Sequence, residues 1–394
     1  MRVRVSALSA LIAPALTLAV CLCLCTPAPA RADSPYVQGL ELYRQGKYQE
    51  AEKILRAALP APPPQSMALS APASPGSPPP PPPGPTPEEA HVRSVLGFTL
   101  LRRNQLAEAE EQFDMARRVP AGEYGPSARP VATVGMGWTS FARGRTSQAV
   151  ELFGEALASV NGNGRPALPD MLAESVPACA RMGLGLIALG RGKPVEAAKI
   201  LEEAGKSPDV LFSPKELFLA LGDARALNGE AKLAVAAWEM VSKKASRFPG
   251  DAPRDELARY KIARLLERGG NVSKAQALYE ELADGKHYRP EGLLGQARAL
   301  LAQGKPGSAV SPLRKLVALD PALAESLGRQ VADSPELRPL LKDWGLAYFH
   351  RAEYMEALSK LSGYLDDVDA KDYPSLMGLG WSHLRLGQGM QAWD

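Results

Sequence analysis

Along most of the chain, small and bulky apolar residues recur at helical spacing behind a glycine or polar residue. In "GKYQEAEKIL", which starts at Gly46, an alanine stands five positions after the glycine and a bulky residue four further on. The pattern returns in "NQLAEAEEQF" at Asn104, "GRTSQAVELF" at Gly144, "GKPVEAAKIL" at Gly192 and "GEAKLAVAAW" at Gly229. It continues with "GNVSKAQALY" at Gly270, "GKPGSAVSPL" at Gly304, "AEYMEALSKL" at Ala352 and "GQGMQAWD" at Gly387. The alanines are Ala51, Ala109, Ala149, Ala197, Ala234, Ala275, Ala309, Ala357 and Ala392, at spacings of 58, 40, 48, 37, 41, 34, 48 and 35 residues. Residues four apart share a helix face, so each occurrence predicts an amphipathic helix. A second helical pattern lies upstream of each, with Gly39, Gly97, Gly137, Gly185, Gly222, Gly345 and Gly380 in register and Ala263 and Ala297 standing in.

Packing physics links the two patterns. Two helices joined by a tight turn approach closely only where small residues face each other, and the turn between them favours glycine because it tolerates positive φ. The glycine of the first helix and the alanine of the second are expected at that crossing. The bulky residue (Leu55, Phe113, Phe153, Leu201, Trp238, Tyr279, Leu313 or Leu361) is expected to fill the gap to the next hairpin. No hairpin buries its apolar face alone, so the hairpins must stack into a solenoid.

The register resembles the tetratricopeptide (TPR) repeat family, whose unit is a helix–turn–helix of about 34 residues. "LVALDP" at Leu316–Pro321 also looks like the family's repeat ending. The resemblance covers nearly all of residues 33–394 and implies an all-α fold, a right-handed α-solenoid of about nine TPR units. The 48-residue intervals call for longer loops, such as "NGNGRPALPD", or an extra helix near Ala322–Ala332.

Two segments stand outside the repeats. Residues 1–32 have a basic start at Arg2 and Arg4, an uncharged apolar run from Ala7 to Cys25, and the small-residue site Ala30-Arg31-Ala32. They read as a cleaved secretory signal peptide, which places the mature protein in the periplasm or elsewhere outside the cytoplasm. No small residue precedes Cys21, Cys23 or Cys25, so a lipid anchor is not expected. Residues 60–87 contain 14 prolines among 28 residues and no charge, which predicts an extended, disordered insertion between a first hairpin at 33–59 and an array at 88–394.

Cleavage removes Arg2, Arg4 and Arg31, taking 46 basic residues to 43 against 43 acidic ones. A neutral chain with interspersed charges does not read as a nucleic-acid binder. The mature chain keeps one cysteine, Cys179, expected as a buried apolar residue, so no internal disulfide is possible. The four histidines are scattered without zinc-ligand spacing. "GKS" at Gly205–Ser207 has Ile200 where a phosphate loop needs glycine, and the glycines of "GLGLIA" at Gly183–Ala188 sit within a helix. No catalytic residue, cofactor site or metal site is therefore assigned.

The resemblance implies where a partner binds, because first helices line the concave face in this family. Their outward positions here are Tyr36, Leu40 and Tyr43, then Phe98 and Leu101, Trp138 and Phe141, and Met182 and Leu186. Later repeats give Asp223, Tyr260, Arg264, Arg298, Phe349 and Trp381. The early positions are apolar and suit an amphipathic helix or an extended apolar peptide. Tyr36, Leu40, His91, Val95, Val131 and Gly135 lack the lysine–asparagine clamp that some relatives use for a C-terminal carboxylate. The expected function is a non-enzymatic protein–protein interaction scaffold in a bacterial cell envelope, with other envelope proteins as partners and no stable membrane insertion after cleavage. Pilus assembly, gliding motility, secretion and outer-membrane assembly are roles the family suggests. The alternative is the non-catalytic half of an exported enzyme, since Asp394 falls within the second helix of a further repeat.

Overall fold

The computed structural model describes residues 34–60, 85–119, 125–162, 171–207, 210–246, 248 and 250–392. Residues 1–32, where a signal peptide is expected, and nearly all of the proline-rich insertion lie outside these residues. Among the described residues every regular element is helical and none is a strand. The chain divides into two compact units, Met1–Val176 and Pro177–Asp394, and the boundary falls inside the helix Met171–Gly190.

The first unit contains three hairpins: Pro35–Arg44 with Tyr48–Ala57, Pro87–Arg102 with Leu106–Arg117, and Gly125–Ala142 with Thr146–Gly162. The second contains Pro194–Ala204, which follows the boundary helix, and then four hairpins. These are Pro214–Leu227 with Ala231–Lys243, Asp251–Arg268 with Val272–Ala283, Arg289–Ala302 with Pro306–Leu319, and Leu340–His350 with Tyr354–Asp367. Tyr373–Arg385 is its last helix. Thr86 starts the second hairpin by accepting a hydrogen bond from the Glu89 N–H, one of the four donors a helix start leaves unpaired.

One backbone device makes all nine turns. The residue opening each motif is left-handed, with φ between 61° and 80°: Gly46, Asn104, Gly144, Gly192, Gly229, Gly270, Gly304, Ala352 and Gly387. The next residue donates its N–H back across the turn to a first-helix carbonyl, as in Lys47 to Leu42 (2.9 Å), Gln105 to Leu100 (2.9 Å) and Glu353 to Tyr348 (3.1 Å). This is the Schellman ending, which satisfies carbonyls that a helix end leaves open. Glycine is absent at two of the nine positions, and asparagine tolerates the conformation better than alanine does.

The first-helix glycines serve a different purpose from the expected one. A Cβ on Gly39, Gly97, Gly137, Gly185 or Gly345 would lie 2.5–2.6 Å from Leu55, Phe113, Phe153, Leu201 or Leu361. Trp238 presses on Gly222 in the same way. Each glycine is thus the seat for the bulky residue of its own hairpin. Some bulky residues also reach the next hairpin, as expected: Phe113 abuts Gly135, Tyr279 abuts Gly295 and Leu361 abuts Gly378. A residue such as Phe113, 0% exposed, contributes roughly 1.5–3 kcal/mol by burial.

The long interval after Ala309 holds the extra helical segment. Pro321–Ala324, the 3₁₀ turn Glu325–Leu327 and Gly328–Asp333 form a wedge, held where Trp344 Nε1 donates to the Pro321 carbonyl (3.1 Å). The ninth repeat differs from its register: after Tyr373–Arg385, residues 389–392 form turns, and the second helix is not formed within the described residues. Among the described residues one helix, Met171–Gly190, has the length and composition to cross a membrane, yet 67% of its apolar window is buried in the fold.

Candidate functional site

The first helices carry the candidate site, and their chemistry differs between the units. In the first unit they are apolar and aromatic. Tyr36 lies 5.6 Å from the His91 ring, and Tyr43 receives a hydrogen bond on its hydroxyl from Arg102 Nε (3.2 Å). Phe98 meets Phe113 edge to face at 5.0 Å. Trp138 meets Phe141 at 5.8 Å and Phe153 at 5.7 Å, both edge to face, the geometry aromatic pairs favour. Hydroxyls on these helices are satisfied locally: Ser94 donates to the Ala90 carbonyl, Thr99 to Val95 and Thr139 to Gly135.

The structure places the nine proposed groove residues unevenly. Leu40, Tyr43, Phe98, Trp138 and Met182 are buried, whereas Tyr36, Leu101, Phe141 and Leu186 are half-buried. Trp138 corrects the expectation of an outward groove position, because it packs on Phe153, the ring seated over Gly137. Phe98 likewise packs on the ring seated over Gly97. A continuous open aromatic strip is not what the described residues form. In the first unit, Leu101 and Phe141 keep partial exposure on successive first helices.

In the second unit, ion pairs stitch successive first helices together. Lys215, 2% exposed, donates to both Asp255 oxygens at 2.6 Å. Asp223 pairs with Lys261 at 2.9 Å and accepts from Trp238 Nε1 at 3.2 Å. Glu267 binds Arg298 at 2.5 and 2.8 Å and accepts from the Tyr279 hydroxyl at 2.7 Å. Burial raises the Glu267 pKa, but the hydrogen bonds from Arg298 and Tyr279 outweigh it and hold the carboxyl below its ordinary value. Burial and the Glu267 carboxylate push the Tyr279 phenol well up. Of the later groove positions, Asp223 and Arg298 belong to this ladder, and Tyr260 stacks on Tyr288 at 5.8 Å with Arg264 above its ring. Trp381 is exposed.

Lys215, Asp255, Lys261 and Glu267 were not picked out by the sequence. Their only signal is a pair of opposite charges 31–40 residues apart, close to one repeat length.

No group of three or more His, Cys, Asp or Glu among the described residues is arranged to hold a metal ion. Cys179 is buried. A cavity of about 180 Å³ beside Ala204, Leu217, Phe218 and Lys244 is smaller than an ordinary ligand pocket of about 300–1,000 Å³.

Comparisons with known proteins agree with the repeat geometry. Tetratricopeptide-repeat family models match residues 134–210 and 260–324, and a second such model matches residues 90–115. No curated protein matches the sequence. Among solved structures, Pseudomonas aeruginosa PilF is 19% identical and covers 62% of this chain and 99% of its own, with a TM-score of 0.45. The apo quorum sensor NprR from B. thuringiensis is 11% identical, covers 92% and 96%, and has a TM-score of 0.45. A tetratricopeptide repeat protein from Parabacteroides merdae is 14% identical, covers 77% and 99%, and has a TM-score of 0.38. At these values the likenesses say nothing of function. With the family matches lying on hairpins that share one turn geometry, the chain belongs to the tetratricopeptide-repeat family.

Proposed function

We propose that the protein is a non-enzymatic scaffold that binds other proteins through its first-helix faces, exported to a bacterial cell envelope to organise a multiprotein complex. The carrying observation is the repetition itself: one turn geometry recurs nine times along the chain, and stacked repeats of this kind present extended binding surfaces. In the first unit, half-buried Leu101 and Phe141 offer an apolar helix or extended peptide a place to add contact area. Export rests on the basic, apolar and small-residue pattern of residues 1–32. A pilus, gliding, secretion or outer-membrane assembly complex is the expected setting.

The test is recovery of partners from envelope extract on the mature protein, compared with a Leu101→Ser/Phe141→Ser variant. The reading expects a defined set of envelope proteins, lost from the variant while its helicity is kept. A folded variant that recovers the same set would refute the first-helix site. Mass spectrometry of the mature N-terminus at Asp33 tests export separately.

A further inference from the structure

Glu291 is an acid without its usual partners. It stands third in the helix Arg289–Ala302, after the capping residue Tyr288, where a glutamate ordinarily reaches back to the capping N–H. That N–H is taken: Tyr288 donates it to Glu256 Oε2 (2.8 Å), which also accepts from the His287 N–H (2.8 Å). Glu291 Oε2 is left buried with no hydrogen-bond partner among the described residues. Glu52 also has a buried oxygen without a hydrogen bond, but Arg56 and Arg103 pair with its carboxylate.

The repeat register shows what is missing. Glu216 lies six residues before Gly222, as Glu291 lies six before Ala297. Glu216 binds Arg254 of the next first helix at 3.3 Å. Arg254 lies nine residues before Ala263, and the residue nine before Gly345 is Glu336. An acid thus stands where the base would be, exposed and accepting a hydrogen bond from Ser334 Oγ (2.8 Å). A carboxylate half out of water and unpaired is costly, so a cation brought to it gains more than at an open surface. Aromatic rings adjoin it. Tyr288 stacks on Tyr260 at 5.8 Å, and Arg264 already lies over the Tyr260 ring. Burial pushes the half-buried Tyr288 phenol up, and the charge of Glu291 pushes it further.

We propose that Glu291 and Tyr288 receive an arginine side chain of a partner protein. A lone carboxylate calls for a cation. The guanidinium suits this one better than an ammonium, because its plane forks onto a carboxylate and stacks on a ring at once. Arg254 fills the same place beside Glu216. Glu291 as a whole is half-buried, so the arginine reaches it from its open side. The proposal rests on the reading that the first helices bind proteins only for the source of the arginine.

Titration of the full chain with Nα-acetyl-arginine amide, followed by saturation-transfer NMR, tests it. Saturable binding is expected, weakened about tenfold in Glu291→Gln with the circular dichroism spectrum unchanged, and absent for the uncharged isostere Nα-acetyl-citrulline amide. Tyr288→Leu, which removes the stacking ring, is the second variant should Glu291→Gln lose helicity, and it should also weaken binding. No binding by the unchanged protein, equal binding by the folded variant, or equal binding of the citrulline amide would each overturn the proposal. The titration needs no envelope protein. Its failure leaves partner recovery through Leu101 and Phe141 standing, and loss of that recovery leaves this site standing.

Discussion

Hairpins two and three differ from hairpins five to seven in what lies between successive first helices. In the former, Ala90 of one first helix clusters with Ala128 and Ala132 of the next, and the hydroxyls of Thr99 and Thr139 turn back onto their own helix. In the latter, Lys215 reaches Asp255, Asp223 reaches Lys261 and Glu267 reaches Arg298. Both regions share the turn, and both seat the bulky residue on a small one: glycine in hairpins two, three and five, alanine at 263 and 297 in hairpins six and seven. The shared parts build the hairpin, while the contact between neighbouring first helices is free to be apolar or ionic; elsewhere hairpins two and three also carry ion pairs, such as Arg145 with Glu110. An apolar joint responds to volume; an ionic one responds to charge and pH.

The largest expected effect is on volume in the first unit. Phe113→Ala empties the seats at both Gly97 and Gly135 and should cost about 3–5 kcal/mol. Hydrogen exchange should show protection lost across Pro87–Ala142 and kept in hairpins five to eight; a uniform loss would break the nearest-neighbour picture. Trp138→Ala should also destabilise this unit, because its ring packs on Phe153.

Next comes the ionic joint. Lys215→Met leaves Asp255 without its buried ammonium and should cost about 2–3 kcal/mol. Adding Asp255→Leu should return most of that loss, since an apolar pair of similar volume can replace a buried ion pair. Thermal melts of the single and double variants decide it. If the double variant melts below Lys215→Met, the joint depends on more than this pair.

A smaller effect follows from pH. The folded-state pKa of Glu267 is depressed, so its contribution is complete above the ordinary glutamate value of about 4.3 and is lost as pH falls through the folded value. Exchange protection in Asp251–Ala302 should therefore drop below about pH 4, and Glu267→Gln should flatten that dependence. An unchanged acid response in the variant would remove Glu267 from the account.

The smallest effect has the opposite sign. Ala352 holds φ at 63°, where alanine is strained, so Ala352→Gly should stabilise the eighth hairpin by about 0.5–1 kcal/mol. Asn104→Gly should change less. A lower melting temperature for Ala352→Gly would contradict the strain.

The hairpins were legible because glycine marks the turn and alanine and a bulky residue mark one face of the second helix. Even Asn104 and Ala352 could be placed by register, although their own residue types do not announce a left-handed turn. The seat was misread because spacing shows which residues share a face and not which neighbour that face meets; Leu55 and Phe113 turned inward onto Gly39 and Gly97. Trp138 was misjudged for a related reason. Its helix is apolar on more than one side, so periodicity does not separate a groove face from a packing face. The ionic ladder was hidden because its partners sit on different hairpins, where only stacking reveals the match.

The left-handed turns have a mechanical consequence. A chain whose cohesion is mostly local yields to a pulling force one hairpin at a time, with the weakest first. Eight of the nine bends rest on glycine or asparagine and release no stored energy when they straighten. The bend at Ala352 does release it, since straightening returns alanine to ordinary backbone angles. Under load, that strain lowers the work of straightening the bend between His350 and Tyr354 by about 0.5–1 kcal/mol relative to a glycine bend.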